Sequence, residues 1–244
     1  MSEQKAPKIS PARRHYQRVT AAQAAGAADP RAAQGGEQYE VHAAYLWEAR
    51  RTVKRIKSLE AKVAKKRELL PEFESYVAGV LEGGQGAQDD VLMTVMLWRL
   101  DVGDLAGGIE VADYALRHGL DTPDRFERDT ASIVAEQVAE EALARLEATE
   151  GDELPAVAAE LVMHLARAQA LTEDADMHDQ IRAKLHKALG YAYRESGSLG
   201  DALEQLRRAL QLNDRVGVKK DIERLERQVR DEGKNAAQGT TAQG

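Results

Sequence analysis

From Tyr39 to Leu70 apolar side chains return every three or four positions, at Tyr45, Ala49, Val53, Ile56, Leu59 and Val63, with polar residues between them. That spacing predicts one helix with a narrow apolar stripe, the width of a coiled-coil seam. A stripe this narrow buries little within its own subunit, so Ile56, Leu59 and Val63 are expected to help join copies of the chain into a closed oligomer, a ring. Upstream, Ser10 and Pro11 mark the start of a short helix to Thr20. The Ala/Gly/Gln-rich stretch from Ala21 to Gln38 offers little to bury and reads as a linker.

Pro71 ends the stripe. A Gly-rich turn at Gly83, Gly84 and Gly86 then precedes Val91, Leu92, Met93, Val95, Met96, Leu97, Trp98 and Leu100. This run is apolar on every face, which predicts a helix in the middle of a helical core. A turn at Gly103 and Asp104 leads into a partner helix carrying Ile109, Ala112, Ala115 and Leu116, capped by Gly119. Further helices are expected over residues 130–148 and 154–171. Leu189, Gly190, Tyr193, Ala202, Leu206 and Ala209 match the spacing of a tetratricopeptide unit, flanked by a helix with Val218, Ile222, Leu225 and Val229. No stretch alternates long enough for a strand, so the expected fold class is all-α. The pattern divides the chain into a flexible basic arm and linker (1–38), a basic amphipathic helix (39–70), a helical-hairpin body (71–230) and a disordered tail (231–244).

Composition adds two constraints. The 244 residues contain no cysteine, which excludes a disulfide framework and a thiolate zinc site and points to a reducing compartment. The polar start and the shortness of the longest apolar run imply neither a signal peptide nor a membrane span. Charge changes the picture more. Residues 1–70 hold 15 Lys/Arg against 7 Asp/Glu, a balance of +8, whereas the rest holds 19 against 34, or −15. Such asymmetry suggests a basic element that touches a polyanion, carried on an acidic body that does not. The candidate DNA-binding residues are Arg13, Arg14, His15 and Arg18 on the arm, and Arg50, Arg51, Lys54, Arg55, Lys57, Lys62, Lys65, Lys66 and Arg67 on the helix. Trp47 and Trp98 are expected to be packing residues.

Catalytic chemistry is harder to find. A metal-dependent nuclease needs carboxylates converging on Mg²⁺, and the dense candidates are Asp89, Asp90, Asp101, Asp104 and Glu110. Asp89, Asp90 and Asp104 precede helices, where acidic side chains cap exposed N–H groups, so capping is the reading preferred for them. The six histidines show no metal-ligand spacing, and Gly83-Gly84-Gln85-Gly86 lacks the Lys-Ser/Thr of a phosphate loop. No metal and no cofactor is expected, and ATP hydrolysis is assigned to a partner.

The strings Ser10-Pro11-Ala12-Arg13-Arg14-His15, Lys65-Lys66-Arg67-Glu68-Leu69-Leu70-Pro71, and residues 88–101 (QDDVLMTVMLWRLD) with Gly103-Asp104 resemble the small terminase family of Peduovirus-type temperate tailed phages. So do Ile181-Arg182-Ala183-Lys184-Leu185-His186-Lys187 and the stretch from Gly217 to Arg227. Residues 120–174 follow no quotable family pattern, and the tail carries a single Lys234 where relatives often have a basic extension. The resemblance implies a packaging subunit in the cytoplasm of an infected bacterium that recognises a cohesive-end site on double-stranded phage DNA. It also implies a large terminase ATPase as partner. Family members are traditionally labelled the endonuclease subunit, so a Mg²⁺-dependent nuclease stands as a rival reading. A helical-repeat protein-protein adapter is the other.

Overall fold

A computed structural model of the chain describes residues 10–27, 37–123 and 129–241, with side chains described as far as Asp231. The start of the expected arm (1–9) and half of the expected linker (28–36) lie outside the described residues. Among the described residues every regular element is helical, which makes the fold all-α. The chain divides into two compact units, residues 1–130 and 131–244.

The N-terminal unit contains α1 (Pro11–Ala27), α2 (Glu37–Arg55), α3 (Leu59–Leu69), α4 (Glu74–Gly83), α5 (Asp90–Asp101) and α6 (Leu105–His118). Helix α5 is its axis. Val91, Leu92, Met93, Val95, Met96 and Leu100 are all buried, as a helix apolar on every face requires. Phe73, at the end of the 3-10 turn that Pro71 initiates, packs edge-on against Trp98 with ring centroids 6.3 Å apart. Helix α6 returns along α5, capped at its start by Asp104 and stopped by Gly119, whose φ of 65° is the left-handed conformation of a C-terminal glycine.

The C-terminal unit contains α7 (Thr130–Ala148), α8 (Leu154–Leu171), α9 (Asp179–Glu195), α10 (Leu199–Leu212) and α11 (Lys219–Thr241). Val134, Ala135, Val138, Ala139 and Ala142 form the buried stripe of α7, and Ala158, Leu161, Leu165 and Ala168 that of α8. Gly190 lets α10 approach α9 closely: a Cβ there would lie 2.6 Å from Leu206 Cδ2. Lys184 reaches Glu136 at 2.9 Å and Glu140 at 2.6 Å, joining α9 to α7. Burial pulls the Lys184 pKa down, but the two carboxylates outweigh it and hold the ammonium above its ordinary value.

The structure departs from the sequence pattern in the single helix expected over 39–70, which is two helices. Ile56, Lys57 and Ser58 are non-helical. Ser58 has extended backbone, and its hydroxyl accepts the Ala61 N–H at 3.3 Å. A serine that can cap a new helix competes with continuation of the old one. Helix α1 runs past Thr20 to Ala27, into the stretch expected as a linker. Ala21 and Ala22 lie against Gly79 and Gly83 of α4, where an added Cβ would meet the Arg18 and Ala22 carbonyl oxygens. Small residues with little to bury here permit two backbones to pack. At the other end, α11 continues to Thr241, into the segment expected as a disordered tail.

Candidate nucleic-acid interface

Helix α2 buries His42, Leu46, Ala49 and Val53, a stripe one residue displaced from the expected one at its start. Trp47 therefore faces outward at 58% exposure, while Tyr45 lies at the edge of the core with its ring centroid 5.3 Å from that of buried Phe73. Trp47 is not the packing residue the sequence suggested, although Trp98 is. The signal lay in the pattern: with Leu46 and Ala49 inside, the 100° rotation per residue turns Trp47 away from the core.

Between α2, α3 and α5 runs a groove of about 700 Å³. Its floor is the apolar surface of Leu46, Val53, Val91 and Trp98; its walls carry Trp47, Arg50, Arg51, Lys54, Lys62 and Lys66, with Tyr39 and Asp90 also lining it. The Arg51 guanidinium lies 4.6 Å from the Trp47 ring centroid, and one of its nitrogens is 3.4 Å from Glu48. Lys54 and Lys62 have no ion-pair partner among the described residues. Tyr39 is pushed up to about 12, chiefly by burial and then by Asp90 and Asp89, so its hydroxyl stays a donor.

Two basic residues of α3 brace the groove. Lys66 pairs with Asp101 at the end of α5, and Arg67 donates to the Val102 carbonyl at 2.9 Å. Together they hold α3 against α5 and so form one wall of the groove. Lys65 is paired with Glu68 at 2.9 Å, while Arg55 and Lys57 are exposed at the α2–α3 break.

On α1, Ser10 accepts the Arg13 N–H at 3.3 Å, the cap expected from sequence. Arg14, His15 and Arg18 line a shallow pocket of about 360 Å³ shared with Glu74 and Ser75 of α4, and Arg18 is 3.6 Å from Glu82. The two arginines are thus set beside carboxylates.

The candidate catalytic carboxylates do not converge. Asp89 caps α5, accepting the Leu92 N–H at 2.9 Å, and Asp104 caps α6, accepting the Gly107 N–H at 3.0 Å. Asp90 opens α5, whose 12 residues separate it from Asp101 by about 17 Å at 1.5 Å per residue. Among the described residues no three His, Asp or Glu side chains are grouped to hold a metal ion. His42 stacks on Tyr76 at 4.4 Å, and His186 bonds Gln205 at 2.7 Å; burial lowers the pKa of both.

Of the three residues expected to join subunits, Ile56 lies in the break after α2 and is half-buried. Leu59 opens α3 at 77% exposure, and Val63 is half-buried. No helix among the described residues is long and apolar enough to cross a membrane.

Residues 43–180 match the family model described as phage small terminase subunit. A protein of Escherichia phage P2 described as "Terminase, endonuclease subunit" is 49% identical over 223 residues, which cover 91% of this chain and 86% of the relative. No solved structure matches. The region matched by the family model takes in most of α2 and all of α3 and α5, and hence every groove residue except Tyr39.

Proposed function

The chain belongs to the phage small terminase subunit family, and on that premise we propose that it is the DNA-recognition component of a genome-packaging machine, which binds viral duplex DNA and delivers it to a large terminase ATPase. The observation that carries this reading is the groove between α2 and α3. Arg50, Arg51, Lys54 and Lys62 stand together there, in a chain whose sequence after Leu70 balances at −15. Cations that neutralise phosphates release condensed counterions, which gives affinity from the DNA backbone alone. The acidic remainder repels DNA, so the field over the protein guides the duplex to this face.

Assembly multiplies the effect. Leu59 is a large apolar residue left in solvent at the start of α3, and its burial against another copy would set several basic faces around one DNA molecule. Joined sites of modest affinity then act at high effective concentration. Such an assembly would work in the cytoplasm of the infected bacterium, where the replicated DNA lies.

The description of the phage P2 relative as an endonuclease subunit would bring DNA cutting to this chain as well. The carboxylates read from sequence give that no support, because Asp89 and Asp90 sit at one end of α5 and Asp101 and Asp104 at the other, Glu110 lies within α6, and Asp89 and Asp104 cap helices. Mg²⁺-dependent nicking that Asp89→Asn and Asp104→Asn abolish without loss of fold would reverse this judgement.

The test of the main reading is equilibrium binding of the full chain to a packaging-site duplex across a salt series. Replacing Arg50, Lys54 and Lys62 by Gln is expected to weaken binding. The log-log salt dependence should flatten by roughly 0.9 for each phosphate no longer neutralised. Unchanged affinity and slope would sink it.

A further inference from the structure

We infer that the α2–α3–α5 groove accepts a single strand of DNA with unstacked bases, and that Trp47 is the platform on which a base stacks. This rests on the reading of the groove as a DNA site, and it names a substrate class that binding to the backbone of a duplex does not require.

An indole at 58% exposure on a helix that has a well-filled core face is unusual. Its removal from water is a gain still to be made, and a ligand with a flat apolar face would make it. The groove beside it has an apolar floor with cations along the walls. Phosphates need only the cations. Apolar floor and aromatic rim together suit a strand whose sugars and bases are accessible, the combination by which single-stranded nucleic acid is bound without sequence preference.

Size agrees. At about 700 Å³ the groove falls within the range of pockets that enclose small organic ligands. It has room for a nucleotide or two and not for a duplex, whose bases are stacked on one another and present no free face. Duplex therefore meets the same cations from outside through one backbone, whereas an unpaired end or locally melted strand enters. The Arg51 guanidinium, 4.6 Å from the Trp47 ring centroid, also sets a cation beside the ring, where a phosphate of the bound strand can pair with it.

The experiment compares a labelled thymidine oligomer of about 20 nucleotides, a length that exceeds a single-strand site, with a blunt duplex of matching length, on the full chain and on two variants. Because Trp98 lines the floor of the same groove, quenching of indole fluorescence is assigned to Trp47 as the part that Trp47→Phe removes. The oligomer is expected to quench wild type, and Trp47→Ala to lower oligomer affinity by roughly 5- to 100-fold and duplex affinity by distinctly less, since a duplex loses only the support that the ring gives Arg51. Trp47→Phe should restore most of the oligomer affinity. If Trp47→Ala weakened both ligands equally, or neither, the stacking inference would be overturned. The second variant, Lys54→Gln with Lys62→Gln, separates the two levels. Loss of duplex binding in it while Trp47→Ala does nothing leaves the groove as the DNA site and removes only the base platform. No loss of either ligand in it removes the groove as the DNA site, and the inference with it.

Discussion

The Tyr76 hydroxyl donates to the Asp89 carboxylate at 2.6 Å, and the same carboxylate accepts the Leu92 N–H at 2.9 Å. One buried side chain thus caps α5 and ties it to α4. Burial pushes the Asp89 pKa up against the opposing pull of these donors, a cost tolerated because the oxygens are satisfied. Asp89→Ala removes the cap and leaves a buried phenol unpaired, so it should destabilise the fold by about 2–4 kcal/mol. Asp89→Asn, which keeps an acceptor, should cost less. Urea denaturation of both variants checks the order; equal stability of Asp89→Ala and wild type would refute it.

Stability should also fall on mild acidification. His42 is held below its ordinary pKa by burial, despite the Gln38 carbonyl 2.8 Å from its ring. The folded state therefore disfavours the imidazolium and the unfolded chain takes up more protons. This contribution is fully present above about pH 6.5 and is lost as pH drops through that value toward the lower folded pKa. His42→Phe, which retains a ring against Tyr76, should reduce the slope of stability between about pH 7 and 5 by up to about 1.4 kcal/mol per pH unit. An unaltered slope would contradict this. His186 acts with the same sign in the other unit, so His186→Phe is the matching control.

Gly79→Ala should release α1. The added methyl would sit 2.7 Å from Ala21 Cβ and against the Arg18 carbonyl, a clash with fixed atoms that no rotamer relieves. Overpacking of this kind costs about 1–3 kcal/mol. Hydrogen exchange is expected to speed up over residues 11–27 while α5 and α6 keep their protection. Unchanged exchange in α1 would show that the close approach is not maintained in solution.

Much of the fold is legible because it depends on patterns that local physics enforces. The all-apolar run that became α5, the aspartates before it and before α6, and Gly119 after α6 each have one low-energy use. The bounds of α7 and α8 follow from stripes of buried Ala, Val and Leu. The break at Ile56–Ser58 was harder to see, because Ser58 is compatible with either a helix surface or a cap, and packing of α3 on α5 through Lys66 and Arg67 decides it. Of the candidate site, the residue types were legible and their grouping was not. The basic residues expected to bind DNA resolve into groove walls, structural braces and cations set beside carboxylates only once α3 is folded back. Trp47 emerges only after Leu46 takes the core position.

Assembly is open to a direct measurement of mass. Leu59, at 77% exposure, is expected to become buried between copies, so native mass spectrometry of the wild type should give a closed oligomer. Leu59→Asp should shift the population toward monomer while helicity is retained. A wild type that stays monomeric at micromolar concentration would contradict the reading.

DNA lying on the α2–α3 face is read most directly by lysine footprinting. The full chain is acetylated with and without a packaging-site duplex, and reactivity at each lysine is read by mass spectrometry. Lys54 and Lys62, which line the groove, should be protected by DNA, whereas Lys219 and Lys220, exposed at the start of α11, should react as before. Protection of Lys219 and Lys220 with Lys54 and Lys62 still fully reactive would place the DNA elsewhere and contradict the account.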